Sequence, residues 1–268
     1  MRQRQIGSAR VAGLCIGGNP FSGFSHQGTE RNREMLDYYT DERIKADLAQ
    51  AEAAGIDTFF GRTDDHIFKI LREYWDGGGR IQWFAQVCVE RGKPDAWRQW
   101  LTGAVELGCT GAYIHGGVAD MWHANEQWDH FHEALARMRD AGVVAGFAAH
   151  RPEAQAWMRD HLDLDFHMCS YYNPSDRTQS AHHRVEGERW DAADRAAMLE
   201  LIATLKKPAV HYKVFGGGNK PVMEAFETMG RHMRDNDVAL MGCFTKDDGA
   251  MIEKDVALFD EHVDAVLA

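Results

Sequence analysis

One unit recurs along the chain and constrains its fold more than any other feature: an amphipathic helix, a glycine that ends it, and a short apolar strand finishing on a polar residue. It is plainest at Ala51 to Phe60, Val105 to His115 and Arg139 to His150. Gly55, Gly108 and Gly142 stand where a residue in the left-handed region closes a helix and turns the chain into a strand. Helical periodicity is clear in Ile44, Leu48 and Ala51 after a Thr40 cap, in Trp128, Phe131, Leu135 and Met138, and in Val222, Phe226, Met229 and Met233. Ile252, Val256, Phe259 and Val263 repeat it near the end.

The strands predicted between these helices are 11–17, 56–60, 81–88, 111–115, 143–149, 165–170, 209–214 and 238–244. Strands that alternate with helices pair in parallel, and parallel sheets bury both faces, which accounts for apolar runs such as Val143 to Ala149. Eight units of about 32 residues fill the 268-residue chain with no linker and no second compositional region. The fold class predicted is therefore α/β, a closed (β/α)8 TIM barrel in one domain over 1–268, against the rival of an open doubly wound sheet. Two long polar loops, 19–40 and 171–190, follow predicted strands and lie at the barrel mouth, where Phe21, Phe24, Tyr171 and Trp190 would serve a lid or a homo-oligomer interface.

Net charge is −11, so there is no electrostatic reason to approach nucleic acid or an anionic membrane, and the partner expected is a small-molecule substrate. No apolar run reaches membrane-spanning length, and Val11 to Gly18 is too short and glycine-broken for a secretion signal. The five cysteines are scattered, odd in number and free of C-x-x-C spacing, which argues against disulfides and thiolate zinc and for a reducing cytoplasm.

In such a barrel, chemistry gathers at the C-terminal ends of the strands. That rule shortlists Asn19, Asp57, Arg62, Gln86, Glu90, His115, His150, Tyr171, Lys213 and Lys246. Asp57, His115 and Lys213 read as a catalytic group, with alternation placing His211 and Lys213 on one face; Asn19, Arg62 and Tyr171 would orient substrate. His115, His150 and Glu90 form a candidate divalent metal site for zinc, manganese or iron, without any short ligand spacing to tie them together. Gly216, Gly217 and Gly218 precede a helix expected to start at Pro221, an arrangement that offers backbone N–H groups to a phosphate or carboxylate, with Lys220 adding charge. His123, His130 and His132 read as solvated helix residues.

With these residues in place, the chain resembles the aldo/keto reductases, nicotinamide-dependent TIM-barrel enzymes. Gly55-Ile-Asp-Thr-Phe59 is similar to their second-strand glycine and Asp-Thr signature, which makes Asp57 the matching aspartate. Ile114-His115-Gly116 matches their fourth-strand histidine, Tyr172-Asn173-Pro174 their nicotinamide-stacking segment, Phe215 to Gly218 their seventh-strand glycines, and Phe244-Thr-Lys246 through Phe259 their adenosine-holding end. The resemblance implies an NADP(H) cofactor held by Gly216, Gly217, Gly218 and Lys246. Two positions depart from it: Arg62 stands where the proton-donating tyrosine belongs, and Gln86 where the catalytic lysine belongs. Asp255 replaces an asparagine, and Asp247 and Asp248 beside Lys246 would repel a 2′-phosphate. Loss of the acid and its pKa control points to acid/base chemistry on a small polar carbonyl or sugar derivative, as an isomerase, lyase or hydrolase, with or without a metal. NADP(H)-linked oxidoreduction is the alternative, with Lys213 as the replacement donor; a non-catalytic binding barrel is the third reading.

Overall fold

The computed structural model describes residues 1–89, 92–182 and 189–267. The chain opens with an antiparallel hairpin, Gln3–Ile6 (β1) and Ala9–Ala12 (β2), turning at Gly7 with φ +55°. Eight parallel strands follow: Leu14–Gly17 (β3), Thr58–Arg62 (β4), Gln82–Val87 (β5), Gly111–Ile114 (β6), Val144–Ala149 (β7), Phe166–Ser170 (β8), Ala209–Tyr212 (β9) and Val238–Met241 (β10). They close in the order β10-β3-β4-β5-β6-β7-β8-β9, the barrel that the strand and helix rhythm predicts.

Two apolar layers hold the barrel. Inside, Phe60 stacks on Phe84 at 4.8 Å between centroids, with Tyr113 and Phe166 edge-on or tilted against them. Ile6 and Val11 of the hairpin join this inner cluster, so β1 and β2 plug the N-terminal end of the barrel. Outside, residues such as Ile16, Phe59, Trp83, Ile114 and Phe147 meet the helices. At roughly 25 cal/mol per Å² of apolar surface removed from water, these layers supply the main favourable contribution to folding.

The helices Thr29–Tyr38 (α1), Asp41–Ala53 (α2), Asp65–Asp76 (α3), Trp97–Leu107 (α4), Gly116–Ala124 (α5), Trp128–Asp140 (α6), Pro152–His161 (α7), Ala192–Ile202 (α8), Val222–His232 (α9) and Met251–Phe259 (α10) surround the barrel. Thr40 caps α2, its side chain accepting from Arg43 N. Gly55, Gly108 and Gly142 adopt φ +93°, +95° and +70°, as their place at helix ends requires.

Three local expectations change. Segment 11–17 divides between hairpin strand β2 and barrel strand β3. The loop at 19–40 contains α1, which buries only Met35 and so shows no apolar face in its sequence. The helix after the triple glycine starts at Val222, with Pro221 as its N-cap at ψ 134°. Among the described residues, no helix is long and apolar enough to cross a membrane.

Candidate functional site

A cavity of about 560 Å³ occupies the C-terminal mouth of the barrel, within the size range of small-molecule sites. Asn19, Arg62, His115, His150, Lys213, Gly217 and Gly218 all line it. The strand-end rule thus gathers most of the residues it nominates.

Asp57 is the principal correction. It lies just before β4, at the opposite end of the barrel, where its carboxylate accepts from Ala12 N at 2.7 Å, Gln3 Nε2 at 3.0 Å and the Thr58 hydroxyl. A residue entering a barrel strand sits on the floor; only residues leaving one reach the mouth. Asp57 ties the hairpin plug to β4 and cannot act with His115 or Lys213.

Tyr171 is likewise displaced from the mouth. Its hydroxyl hydrogen-bonds with His211 Nδ1 at 3.0 Å, and His211 Nε2 faces Asp237 at 3.3 Å, a fully buried chain in the outer layer. His211 therefore does not share a face with Lys213. Strand β9 ends at Tyr212, which faces the cavity, and Lys213 then takes φ +56°, so the chain turns and Lys213 enters the cavity beside Tyr212. A left-handed non-glycine residue costs roughly 1–2 kcal/mol, and here that strain aims an amine. Lys213 Nζ stands 2.6 Å from His26 Nε2 and 6.0 Å from the Trp190 ring centroid.

Lys246 points away and pairs with Glu34 at 2.8 Å. Gly216, Gly217 and Gly218 form tight turns at φ +55°, +60° and +82°. The N–H groups of Gly216, Gly218, Asn219 and Lys220 all go to carbonyls within this segment, so it does not offer the open row of donors that the sequence suggested. Phe21 is a core residue packed on Tyr39 and Phe59, whereas Phe24 borders the cavity beneath the Arg62 guanidinium. Arg62 also pairs with Asp64 at 2.9 Å.

His150 leads to residues that sequence reading missed. Its Nε2 lies 3.0 Å from Arg177 Nη1, and its Nδ1 lies 2.8 Å from Asp120 Oδ2. The same Nη1 lies 3.3 Å from Nδ1, so the guanidinium packs against the imidazole ring, which is held between a cation on one side and the Asp120 carboxylate on the other. Asp120 also accepts from the backbone N–H groups of His150 and Arg151. Burial pushes its carboxyl up to about 7, against those donors and the Arg177 charge. Burial, reinforced by Arg177 and Lys213, holds both His115 and His150 well below the ordinary imidazole range, so both are neutral. Tyr212 and Tyr113 are driven upward by burial and keep their protons.

Of the candidate metal ligands, His115 and His150 line the cavity with ring centroids 6.4 Å apart, His150 already contacts Asp120 and Arg177, and Glu90 lies outside the described residues. Among the described residues, no three His, Cys, Asp or Glu groups stand together as metal ligands. Asp120 had one available signal, being the single acid in the otherwise apolar run Gly116 to Trp122. Arg177 had none, because its place in the cavity depends on the path of the β8–α8 loop.

The mouth extends past Lys220 and Val222 to Phe244, Asp247, Met251 and Asp255. Arg31 lies over the Phe244 ring at 4.4 Å and bonds Glu34 and Asp247. Burial raises Asp255 to about 7.

No family model matches the chain, and no curated protein matches it in sequence. Solved structures do share its fold. A protein provisionally named an aldo-keto reductase, from Pseudomonas aeruginosa, superposes with a TM-score of 0.62 at 17% identity, covering 97% of this chain and 95% of that one. An aldo-keto reductase from Bacillus halodurans, in its holo form, gives 0.62 at 14% identity over 100% and 97%. The glycerol dehydrogenase of Gluconobacter oxydans gives 0.54 at 12% over 99% and 95%. The chain therefore has the (β/α)8 barrel seen in aldo-keto reductases, along nearly its whole length.

Proposed function

We propose that the protein is a nicotinamide-linked oxidoreductase acting on a small polar carbonyl or alcohol. The observation carrying this reading is the single continuous cavity. Its deep end holds Lys213, His115 and His150, and its outer end reaches the β10–α10 segment where the family resemblance expects the adenosine half of the cofactor. The outer lining is chemically suited to a dinucleotide: Arg31 and Lys220 supply cationic groups, and Val222, Phe244 and Met251 supply apolar surface for a purine. Asp247 and Asp255 suit ribose hydroxyls better than a 2′-phosphate, which favours NAD(H) over NADP(H). Sequence identity to the neighbouring structures is too low for their activities to be transferred, since one barrel hosts many chemistries.

When bound, the nicotinamide would supply or accept hydride, and the chain's own residues would handle the substrate oxygen. Lys213 Nζ gives that oxygen its proton, a role for which an amine beside an imidazole is apt. His26, 2.6 Å away, relays the proton. Neutral His115 polarises the carbonyl by hydrogen bonding, because a neutral imidazole donates without adding a full charge. Titration with NADH and NADPH, followed by tryptophan fluorescence and absorbance at 340 nm, tests the reading. Saturable quenching with carbonyl-dependent oxidation supports it; no binding of either cofactor at millimolar concentration removes it.

Acid/base chemistry without hydride transfer is the second reading. It is favoured by Arg62 and Gln86 at the positions where the resemblance expects tyrosine and lysine. Turnover of a sugar-like carbonyl compound with no nicotinamide present would establish it in place of the first.

A further inference from the structure

The deep end of the cavity has a charge unlike the rest of the molecule. The chain carries a net −11, yet Arg62, Arg177 and Lys213 converge there from three separate segments. Arg177 is only 3% exposed, and its Nη1 is aimed by the Asp120–His150 pair. It also lies against the start of α5, where the helix dipole favours negative charge; the N–H groups of Val118 and Ala119 already bond the His115 carbonyl, which leaves those of Gly116 and Gly117 as the ones without a partner inside the helix.

That close approach depends on two glycines. A Cβ at Gly117 would come within 2.3 Å of the Ala181 carbonyl and 3.0 Å of Arg177 Cδ. One at Gly116 would come within 2.8 Å of both His150 Cε1 and the Tyr212 hydroxyl. The sequence His115-Gly-Gly117 thus lets a guanidinium, an imidazole and a phenol gather around a helix N-terminus facing the cavity. A planar guanidinium matches carboxylate and phosphate oxygens in pairs, and the helix start accepts the same ligands.

We propose that this corner is an oxyanion-recognition pocket, and that the substrate carries a carboxylate or phosphate received by Arg177 and the N-terminal turn of α5, with Lys213 and Arg62 flanking it. The substrate class is thereby narrowed from polar carbonyl compounds to anionic ones, such as 2-oxo or 2-hydroxy acids or their phosphorylated counterparts. This rests on the cavity being the substrate site and does not require hydride transfer. The charges facing the pocket include Asp64 on Arg62, and Asp120 one imidazole removed from Arg177.

Isothermal calorimetry on the full chain, with and without NADH, tests the proposal using pyruvate, 2-oxoglutarate and inorganic phosphate against uncharged acetone and glyceraldehyde. At least one anion should bind saturably, with affinity falling as salt rises, while the uncharged compounds bind far more weakly. Arg177→Met should weaken that anion about 10- to 100-fold, the value of a charge-assisted hydrogen bond, and Arg177→Lys by less. Gly117→Ala should weaken it too, by displacing Arg177 while keeping every charge. Thermal melts establish that each variant is folded, and Arg177→Lys serves if Arg177→Met is not. Unchanged affinity in a folded Arg177 variant would overturn the proposal, as would failure of every anion to bind the wild-type chain. Phosphate binding lost in Lys220→Met but kept in Arg177→Met would assign the anion to the outer end and also overturn it. Anion binding without any NADH or NADPH binding would leave this pocket standing and defeat the oxidoreductase reading alone.

Discussion

The two ends of the barrel each hold an aspartate beside main-chain N–H groups, and the two do different work. On the floor, Asp57 accepts from Ala12 N and two neighbouring side chains, fastening the hairpin to β4. Under the mouth, Asp120 also accepts backbone N–H groups, but its third partner is His150, which in turn holds Arg177 in the cavity. A carboxylate ends its influence where its partners end. Main-chain and hairpin partners make a fastening; a titratable ring leading to a guanidinium carries the effect into the cavity.

The largest test of this contrast is at the mouth. Lys213→Met should lower turnover about 10²- to 10⁴-fold, the usual range for loss of a positioned proton donor, with little change in melting temperature. Steady-state kinetics on whichever carbonyl substrate is found would check it, and near-normal turnover would shift the proton-donor role elsewhere. At the floor, Asp57→Ala should cost about 1–3 kcal/mol in urea denaturation by leaving Ala12 N–H without its acceptor, while anion affinity stays at the wild-type value. If affinity also fell, the two ends would be coupled and the contrast would fail.

A smaller effect concerns pH. As pH falls through about 7, Asp120 takes up a proton and the negative charge behind His150 disappears. Facing it are His150 and Arg151 from the β7–α7 segment, Arg177 from the β8–α8 loop and Tyr212 from β9. The imidazole stays neutral in this window and the tyrosine protonated, while the arginines stay charged. Pyruvate keeps its charge, so its affinity should rise several-fold from pH 8 to pH 6 and should be flat in Asp120→Asn. The sign for stability is separate: a carboxyl raised from about 4 unfolded to about 7 folded contributes stability that is present below pH 4 and is lost as pH rises through 7. His115 and His150, depressed in the fold, contribute in the opposite sense, losing stability as pH falls below about 6.5. Acidification from pH 6.5 therefore sets two histidines against one aspartate, and melting temperatures measured across this range in Asp120→Asn isolate the aspartate's part.

The smallest effect is in the backbone. At φ +56°, Lys213→Gly should be about 1 kcal/mol more stable than Lys213→Ala, although both lack the amine. Equal melting temperatures would show that the strained turn is supported by something other than residue choice.

Much of the fold was legible because it is local. Gly55, Gly108 and Gly142 punctuate helices whose apolar spacing is plain, and a parallel barrel repeats one local unit. Helix α1 escaped notice because a helix that buries only Met35 leaves no periodic trace. Asp57 was misplaced for a different reason: a strand's residues can be read from sequence more easily than which end of it faces the ligand, and a shift of five residues along β4 exchanges floor for mouth. His211 was misassigned because alternation was continued past Tyr212, where the backbone leaves the strand, and Tyr171 because the residue that follows β8 turns outward to His211 instead of into the mouth.

By itself the sequence determined the barrel, its parallel order and the presence of His115, His150, Arg62 and Lys213 at its mouth, because periodicity and strand ends are properties of neighbouring residues. Only the tertiary structure decided that Asp120 stands behind His150 and that Arg177 reaches the start of α5. Those contacts join Asp120 to His150, 30 positions on, and Gly117 to Arg177, 60 positions on, through a loop path and two missing Cβ atoms. No local pattern encodes such distances; they exist only once the ring of strands has closed.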